Sequence, residues 1–163
     1  MNDLRLILAS GSAVRAQMLK GAGLKFDVDP ANVDEAALRE HLVAEGAPLS
    51  DIAALLAEAK ARFIARKDPD ALVIGADQIL LLGHEVFEKP KDIIAARETL
   101  QRLKGQTHEL ISAVSLVRGA DCLWQGSDAA RLTMRDFSHE FLEGYLEEEG
   151  ENALESVDRK SVV

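Results

Sequence analysis

The chain has 163 residues, 47% hydrophobic and 29% charged, with a formal net charge of −9. That length suits one domain with a substantial core and is short for two independent ones, and the composition excludes disordered and fibrous classes. The negative balance argues against a binder of nucleic-acid polymers or acidic membrane surfaces, so an anionic substrate must be met by locally gathered cations.

Leu4–Ala9 is a short apolar run that reads as a buried strand, broken by Ser10-Gly11-Ser12. Helical spacing follows over Ala13–Ala22 through Val14, Met18 and Leu19, closed by Gly21 and Gly23. A strand, a small-residue loop and a helix start expose backbone N–H groups that suit a phosphate. Ser10 and Ser12 could donate hydroxyls there, and Arg15 could reach an anion. The Gly-Lys-Ser/Thr ending of a P-loop is missing, and Ser12 as a helix N-cap with a solvated Arg15 explains the same residues.

Leu24–Val28 reads as a second strand, ended by Asp29-Pro30. Asp34-Glu35 opens a helix with apolar Leu38, Leu42 and Val43; the acidic pair suits the helix dipole. Ser50 is expected to cap a helix over residues 51–66 with Ile52, Leu55, Leu56, Ala59 and Phe63 on one face. Lys60 falls about 80° from Ile52, at the edge of that face. It could lie along apolar surface or point its ammonium into a cleft beside the sheet.

The organising stretch is 72–92. Leu72-Val73-Ile74 meets Gly75-Ala76 and one carboxylate, Asp77; apolar residues resume at Ile79–Leu82, and a Gly83-His84 turn leads to Val86-Phe87 and Lys89-Pro90-Lys91-Asp92. This is a strand, a tight turn and a returning strand. An unpaired buried charge is costly, so Asp77 either caps a turn or faces a cleft where water, metal or cations satisfy it.

Asp92 caps the next helix, with Ile94, Leu100 and Leu103, closed by Gly105. Thr107–Val117 is a strand, and Cys122–Gln125 and Asp128–Met134 are strands on either side of Gly126. Ser138 caps a helix bearing Phe141, Leu142, Tyr145 and Leu146; from Glu151 to Val163 the pattern decays, with Ser161–Val163 as a strand without a partner. The single Cys122 rules out an intrachain disulfide and a Cys-rich zinc site. With no membrane-length apolar run and no signal-peptide pattern at Met1–Arg5, a cytoplasmic soluble protein is expected.

Leu8-Ala9-Ser10-Gly11-Ser12-Ala13-Val14-Arg15 resembles the opening of the Maf family of nucleoside triphosphate pyrophosphatases, usually Leu-Ala-Ser-x-Ser-Pro-Arg-Arg. The resemblance continues through Asp34-Glu35, Leu56-Ala57, Lys60-Ala61, Ile74-Gly75-Ala76-Asp77-Gln78, Lys89-Pro90-Lys91-Asp92, Leu100, Leu103, Gly105 and His108, over about residues 4–149. It implies a single α/β domain with an elongated mixed sheet flanked by helices, and two lobes with a central cleft. The implied reaction is nucleoside triphosphate plus water giving monophosphate and pyrophosphate, on ordinary or modified nucleotides, with a divalent cation (Mg²⁺ or Mn²⁺) as cofactor.

On that resemblance Asp77 is the base and a metal ligand, Glu35 a second carboxylate near the metal, and Arg15, Lys60 and Lys89 fixed cations. Ser10 and Ser12 cradle oxygens, and Val14 and Gln78 resemble positions tied to base preference. Ala13-Val14 replace the usual Pro-Arg, which removes one expected cation. The family normally continues beyond Tyr145 into an Ala-Gly-x-Tyr-like stretch and a Gly-Leu-Pro ending, whereas this sequence runs Asn152-Ala153-Leu154 and stops after Ser161-Val162-Val163. A truncated or altered C-terminus after about residue 150 implies an uncovered edge, self-association as a homodimer or weak nucleotide binding, and poor order in 151–163. The competing readings are a catalytically weak nucleotide- or protein-binding module linked to cell division, and a phosphatase releasing orthophosphate.

Overall fold

The structure is a computed structural model that describes residues 4–154, so the strand expected at Ser161–Val163 lies outside the described residues. Its strands form a six-stranded mixed sheet in the order β2-β1-β3-β5-β6, with β4 on β3. They are β1 (Leu6–Leu8), β2 (Asp27–Val28), β3 (Leu72–Leu82), β4 (Glu85–Phe87), β5 (Thr107–Arg118) and β6 (Asp121–Thr133). The helices are α1 (Ala13–Gly21), α2 (Glu35–Ala44), α3 (Ile52–Ala65), α4 (Ile93–Leu103) and α5 (His139–Glu149). The chain groups into two compact units, Met1–Gln78 with Ser112–Asp128, and Ile79–Ile111 with Ala129–Val163. Among the described residues no helix is long and apolar enough to cross a membrane.

In the first unit β1 lies between two parallel neighbours, Ile7 opposite Asp27 on β2 and Val73 on β3. Parallel pairing requires crossovers, supplied by α1 and by α2 with α3. Both early strands are shorter than their apolar runs: β1 omits Leu4, which is exposed, and β2 retains only Asp27–Val28 of Leu24–Val28. Helix α1 forms as expected, but its apolar stripe is not core, with Val14 and Met18 65% and 70% exposed.

Helix α3 covers the sheet with Ile52, Ala53, Leu56, Ala57, Lys60, Ala61, Ile64 and Ala65. That face is rotated from the expected one: Leu55, Ala59 and Phe63 are half-buried, while Lys60 moves from the edge to the interior. Small Ala side chains let the helix backbone approach the sheet closely, so the alanines rather than the larger Leu55 and Phe63 turn inward. Ile64 and Ala65 join Ile7, Ala9, Val73 and Val117 in the core of this unit. Ser50 is not the cap of α3; it lies in a short 3-10 turn, Leu49–Asp51, and donates its hydroxyl to Asp51.

β5 and β6 form a hairpin whose cross-strand partners include Ser115 with Gln125 in the first unit, and Glu109 with Arg131 and Thr107 with Thr133 in the second. β6 is one strand rather than two, because Gly126 does not break it. The Trp124 ring lies against Gly126, 2.5 Å from where a Cβ would stand, so a residue without a side chain lets the strand run on beneath the indole.

In the second unit β3 turns through Gly83, at φ 62°, into β4, with Leu80 opposite Phe87. Asp92 and Ser138 cap α4 and α5 as expected, accepting from Ala95 and Phe141 N–H groups. Leu80, Phe87, Leu103 and Met134 form one apolar cluster, and Ala96, Leu142, Leu146 and Ala153 another. Of the expected α5 stripe, Leu142 and Leu146 are buried, but Phe141 is half exposed and packs on Phe137. A short turn at Gly150–Leu154 buries Ala153, so order continues past Glu151, where the sequence pattern decays; residues 155–163 are outside the described set.

The rotated face of α3 makes a testable contrast. Ile64→Ala should cost about 2–5 kcal/mol of unfolding free energy in urea, the usual range for truncating a fully buried aliphatic. Phe63→Ala should cost clearly less, and equal losses would contradict this packing.

Candidate active site in the first unit

Asp77 sits in the interior of β3, neither at a strand end nor in a turn, and is 7% exposed. Its buried position depends on Gly75. A Cβ at Gly75 would stand 1.9 Å from the Ala57 carbonyl oxygen and 2.9 Å from the Ala61 Cβ, so only glycine permits β3 and α3 to meet this closely. One further turn along α3 from Ala57, Lys60 then reaches Asp77, its Nζ 2.6 Å from Asp77 Oδ1. The same ammonium lies 2.8 Å from Glu35 Oε1. Lys60 and Asp77 are both nearly enclosed, whereas the Glu35 side chain is 48% exposed.

The acidic pair at the start of α2 therefore divides its roles. Asp34 is the N-cap and accepts from the Ala37 N–H at 3.0 Å, while Glu35 reaches out to Lys60. On the other side, Arg15 Nη1 donates to Ser10 Oγ at 2.9 Å and to the Ala76 carbonyl at 3.0 Å, next to Asp77 in sequence. Ser10 is buried and also accepts the Ser12 N–H; Ser12 caps α1, accepting the Arg15 N–H. The two serines thus shape the loop and hold Arg15, whatever else they contact.

Burial pushes the Asp77 carboxyl above the usual carboxylate range. The Lys60 ammonium opposes this by charge and by hydrogen bond; Glu35 adds a smaller upward push and Arg15 a smaller downward pull.

The structure thus brings together Asp77, Lys60, Glu35, Arg15 and Ser10, with Ser12 at the adjoining helix start. Val14 is exposed on α1 beside Arg15. Gln78 is not in the cluster. Side chains alternate along a strand, so Gln78 projects from the opposite sheet face, exposed, and donates to Ser112 Oγ at 2.8 Å. Lys89 belongs to the second unit, exposed in the loop after β4. Sequence reading missed the close approach at Gly75, although a glycine within an apolar strand is its usual sign.

A sequence model described as Maf-like protein matches residues 5–156. The chain belongs to that family. A relative named 7-methyl-GTP pyrophosphatase, from Brucella abortus, is 46% identical over 154 residues, 94% of this chain and 77% of that protein. Another, named nucleoside triphosphate pyrophosphatase, from Paramagnetospirillum magneticum, is 47% identical over 151 residues, covering 93% and 78%. Among solved structures, Ham1 proteins from Coxiella burnetii and Staphylococcus aureus superpose with TM-scores of 0.52 and 0.51 at 14% identity. Each alignment covers 83% of the Maf-like chain, with 75% and 74% of the Ham1 chains respectively, and that likeness speaks to the fold alone.

Two outcomes test this geometry. Gly75→Ala should force α3 off β3 at a cost of at least about 1–3 kcal/mol, as for overpacking in general. Denaturant unfolding of the variant measures that loss. The second outcome concerns pH. Because the native Asp77 pKa is raised, the folded chain keeps this proton to higher pH than the unfolded chain. Its contribution to stability therefore falls as pH rises from the unfolded value near 3.8 through the native value. Unfolding free energies of the wild type should decline across that window relative to Asp77→Asn; a pH-independent difference would contradict the raised pKa.

Proposed function

We infer that this Maf-like chain hydrolyses nucleoside triphosphates to nucleoside monophosphate and pyrophosphate. The observation that carries the reading is a buried carboxylate, Asp77, held against Lys60 and flanked by Arg15 beside the start of α1. Relatives named for the same reaction support it. The relatives named 7-methyl-GTP pyrophosphatase favour a modified guanine nucleotide as the substrate to try first.

In this mechanism Asp77 accepts a proton from the water that attacks the α-phosphorus. A carboxylate whose pKa is raised by burial is a stronger base than an exposed one. Lys60, fixed by two carboxylates, presents a preoriented positive charge to the oxygens on which charge develops. Arg15 offers a second one, and the N–H groups at the start of α1 receive phosphate oxygens. Lys89, in the second unit, is the remaining cation that the family resemblance implies.

The residues also fit a divalent cation. Two carboxylates, Asp77 and Glu35, both lie against Lys60 Nζ, and their charges are matched by Lys60 and Arg15, so an arriving triphosphate brings uncompensated negative charge. Among the described residues no group of three or more His, Cys, Asp or Glu could hold a metal by itself. That donor set suits Mg²⁺ or Mn²⁺, a hard ion that keeps its waters and is shared between one or two carboxylates and substrate phosphates. When bound, such an ion would polarise the phosphoryl group and favour ionisation of a coordinated water.

The experiment is a nucleotide panel with Mg²⁺ or Mn²⁺, assayed separately for pyrophosphate and orthophosphate. Pyrophosphate release that stops on chelation and returns with the metal is expected; orthophosphate alone, or no turnover, would overturn the reading. Asp77→Asn should lower kcat by roughly 10²–10⁴ with the fold intact, and Lys60→Ala and Lys89→Ala should also lower it. Undiminished turnover in a folded Asp77→Asn chain would remove Asp77 from its assigned role.

A further inference from the structure

Helix α3 bears on the sheet mainly through small side chains, Ala53, Ala57, Ala61 and Ala65 alternating with Ile52, Leu56 and Ile64. Buried Ile52, Leu56 and Ile64 and the approach of Ala57 to Gly75 set how closely the helix sits, but apolar packing carries no direction of its own. Yet Lys60, at the centre of that surface, must meet Asp77 within hydrogen-bond distance. Something directional has to set the helix in register.

A polar clamp at the β5–β6 side of α3 has that property. Gln125 Nε2 on β6 lies 3.0 Å from Ser115 Oγ on β5, 3.2 Å from Glu58 Oε2 and 3.2 Å from the Ala54 carbonyl, both on α3. Ser115 is fully buried. Glu58 is in turn held by Arg62 Nε at 2.7 Å, and Arg62 Nη1 donates to the Ala120 carbonyl in the hairpin turn at 2.5 Å. Glu58 and Arg62 stand two residues before and two after Lys60, and so project from the other side of the helix. Hydrogen bonds add direction to a contact whose closeness is set by packing, and those to charged groups are the stronger kind.

We propose that Gln125 is a positioning residue for the reaction: the two N–H groups of its side-chain amide, shared among the Ala54 carbonyl, the Glu58 carboxylate and the Ser115 hydroxyl, tie α3 to the β5–β6 hairpin and so aim Lys60 at Asp77. Gln125 touches no reacting group. It acts through the helix, and the proposal rests on the role given above to Lys60 and Asp77.

The test uses the full chain with Gln125→Leu, which removes the donors, and Gln125→Glu, which sets a second carboxylate against Glu58. Ser115→Ala, which deletes one acceptor, serves if either variant fails to fold by circular dichroism. The first readout is steady-state pyrophosphate release. A misaimed cation weakens transition-state contacts more than ground-state binding, so kcat should fall roughly tenfold to a hundredfold with KM little changed. Gln125→Glu should fall further than Gln125→Leu. The second readout needs no activity: the rate at which an amine-reactive acylating reagent labels Lys60 in nucleotide-free protein, followed by mass spectrometry. Labelling several times faster than in the wild type is expected once the ammonium is no longer pinned. A variant that loses thermal stability but keeps wild-type kcat and Lys60 labelling would overturn the proposal. If the wild type itself released no pyrophosphate, the reaction assigned above would fail, while the labelling comparison would still decide whether Gln125 positions Lys60.

Discussion

The contact between Lys60 and Asp77 is the constraint on which the first unit is built. Enclosing two opposite charges costs several kcal/mol of desolvation for each ion, and a salt bridge at good distance only partly offsets that cost. Removing one partner leaves a buried unpaired charge, typically worth about 3–5 kcal/mol of lost stability. Such an arrangement is a poor way to stabilise a sheet. It suits the function proposed above, in which a base and a fixed cation are held ready at some cost in stability.

Three features converge on that contact. Gly75 lets β3 and α3 approach until a Cβ would overlap the Ala57 carbonyl. The alanine face of α3 turns Lys60 inward instead of leaving it at the rim. From outside, Glu35 at the start of α2 closes on the ammonium, and Arg15 is fastened to Ser10 and to the Ala76 carbonyl next to Asp77. Charges thus alternate through the cluster. That pattern disfavours collapse of any one group onto a wrong partner, and within the cluster it leaves no surplus positive charge for a triphosphate.

Much of the fold could be read in advance where local signals agree. The hairpin through Gly83-His84 and the caps at Ser12, Asp92 and Ser138 all combine side-chain chemistry with an adjacent apolar pattern. Some differences from expectation come from a tertiary contact that no local window contains, others from a local signal passed over. Lys60 looked peripheral because charge counts against burial, and its partner lies in a strand distant in sequence. For Asp77 a turn and a cleft stood as alternatives because Asp favours turns, and in β3 it meets the charges of Lys60 and Arg15. Gly126 looked like a break because its companion is a ring two residues earlier, which covers it. For Gln78 the period of the strand was sufficient to place it opposite Asp77, and proximity in sequence concealed that. Motif order, by contrast, pointed to the family directly, because it depends on no single contact.

The claim that Asp77 directs water to the α-phosphorus is tested most directly by the site of oxygen incorporation. Hydrolysis of a nucleoside triphosphate in ¹⁸O-labelled water, followed by mass spectrometry of both products, should place the label in the nucleoside monophosphate and leave the pyrophosphate unlabelled. Label in the pyrophosphate would mean attack at the β-phosphorus, and label in orthophosphate attack at the γ-phosphorus; either result would contradict the account.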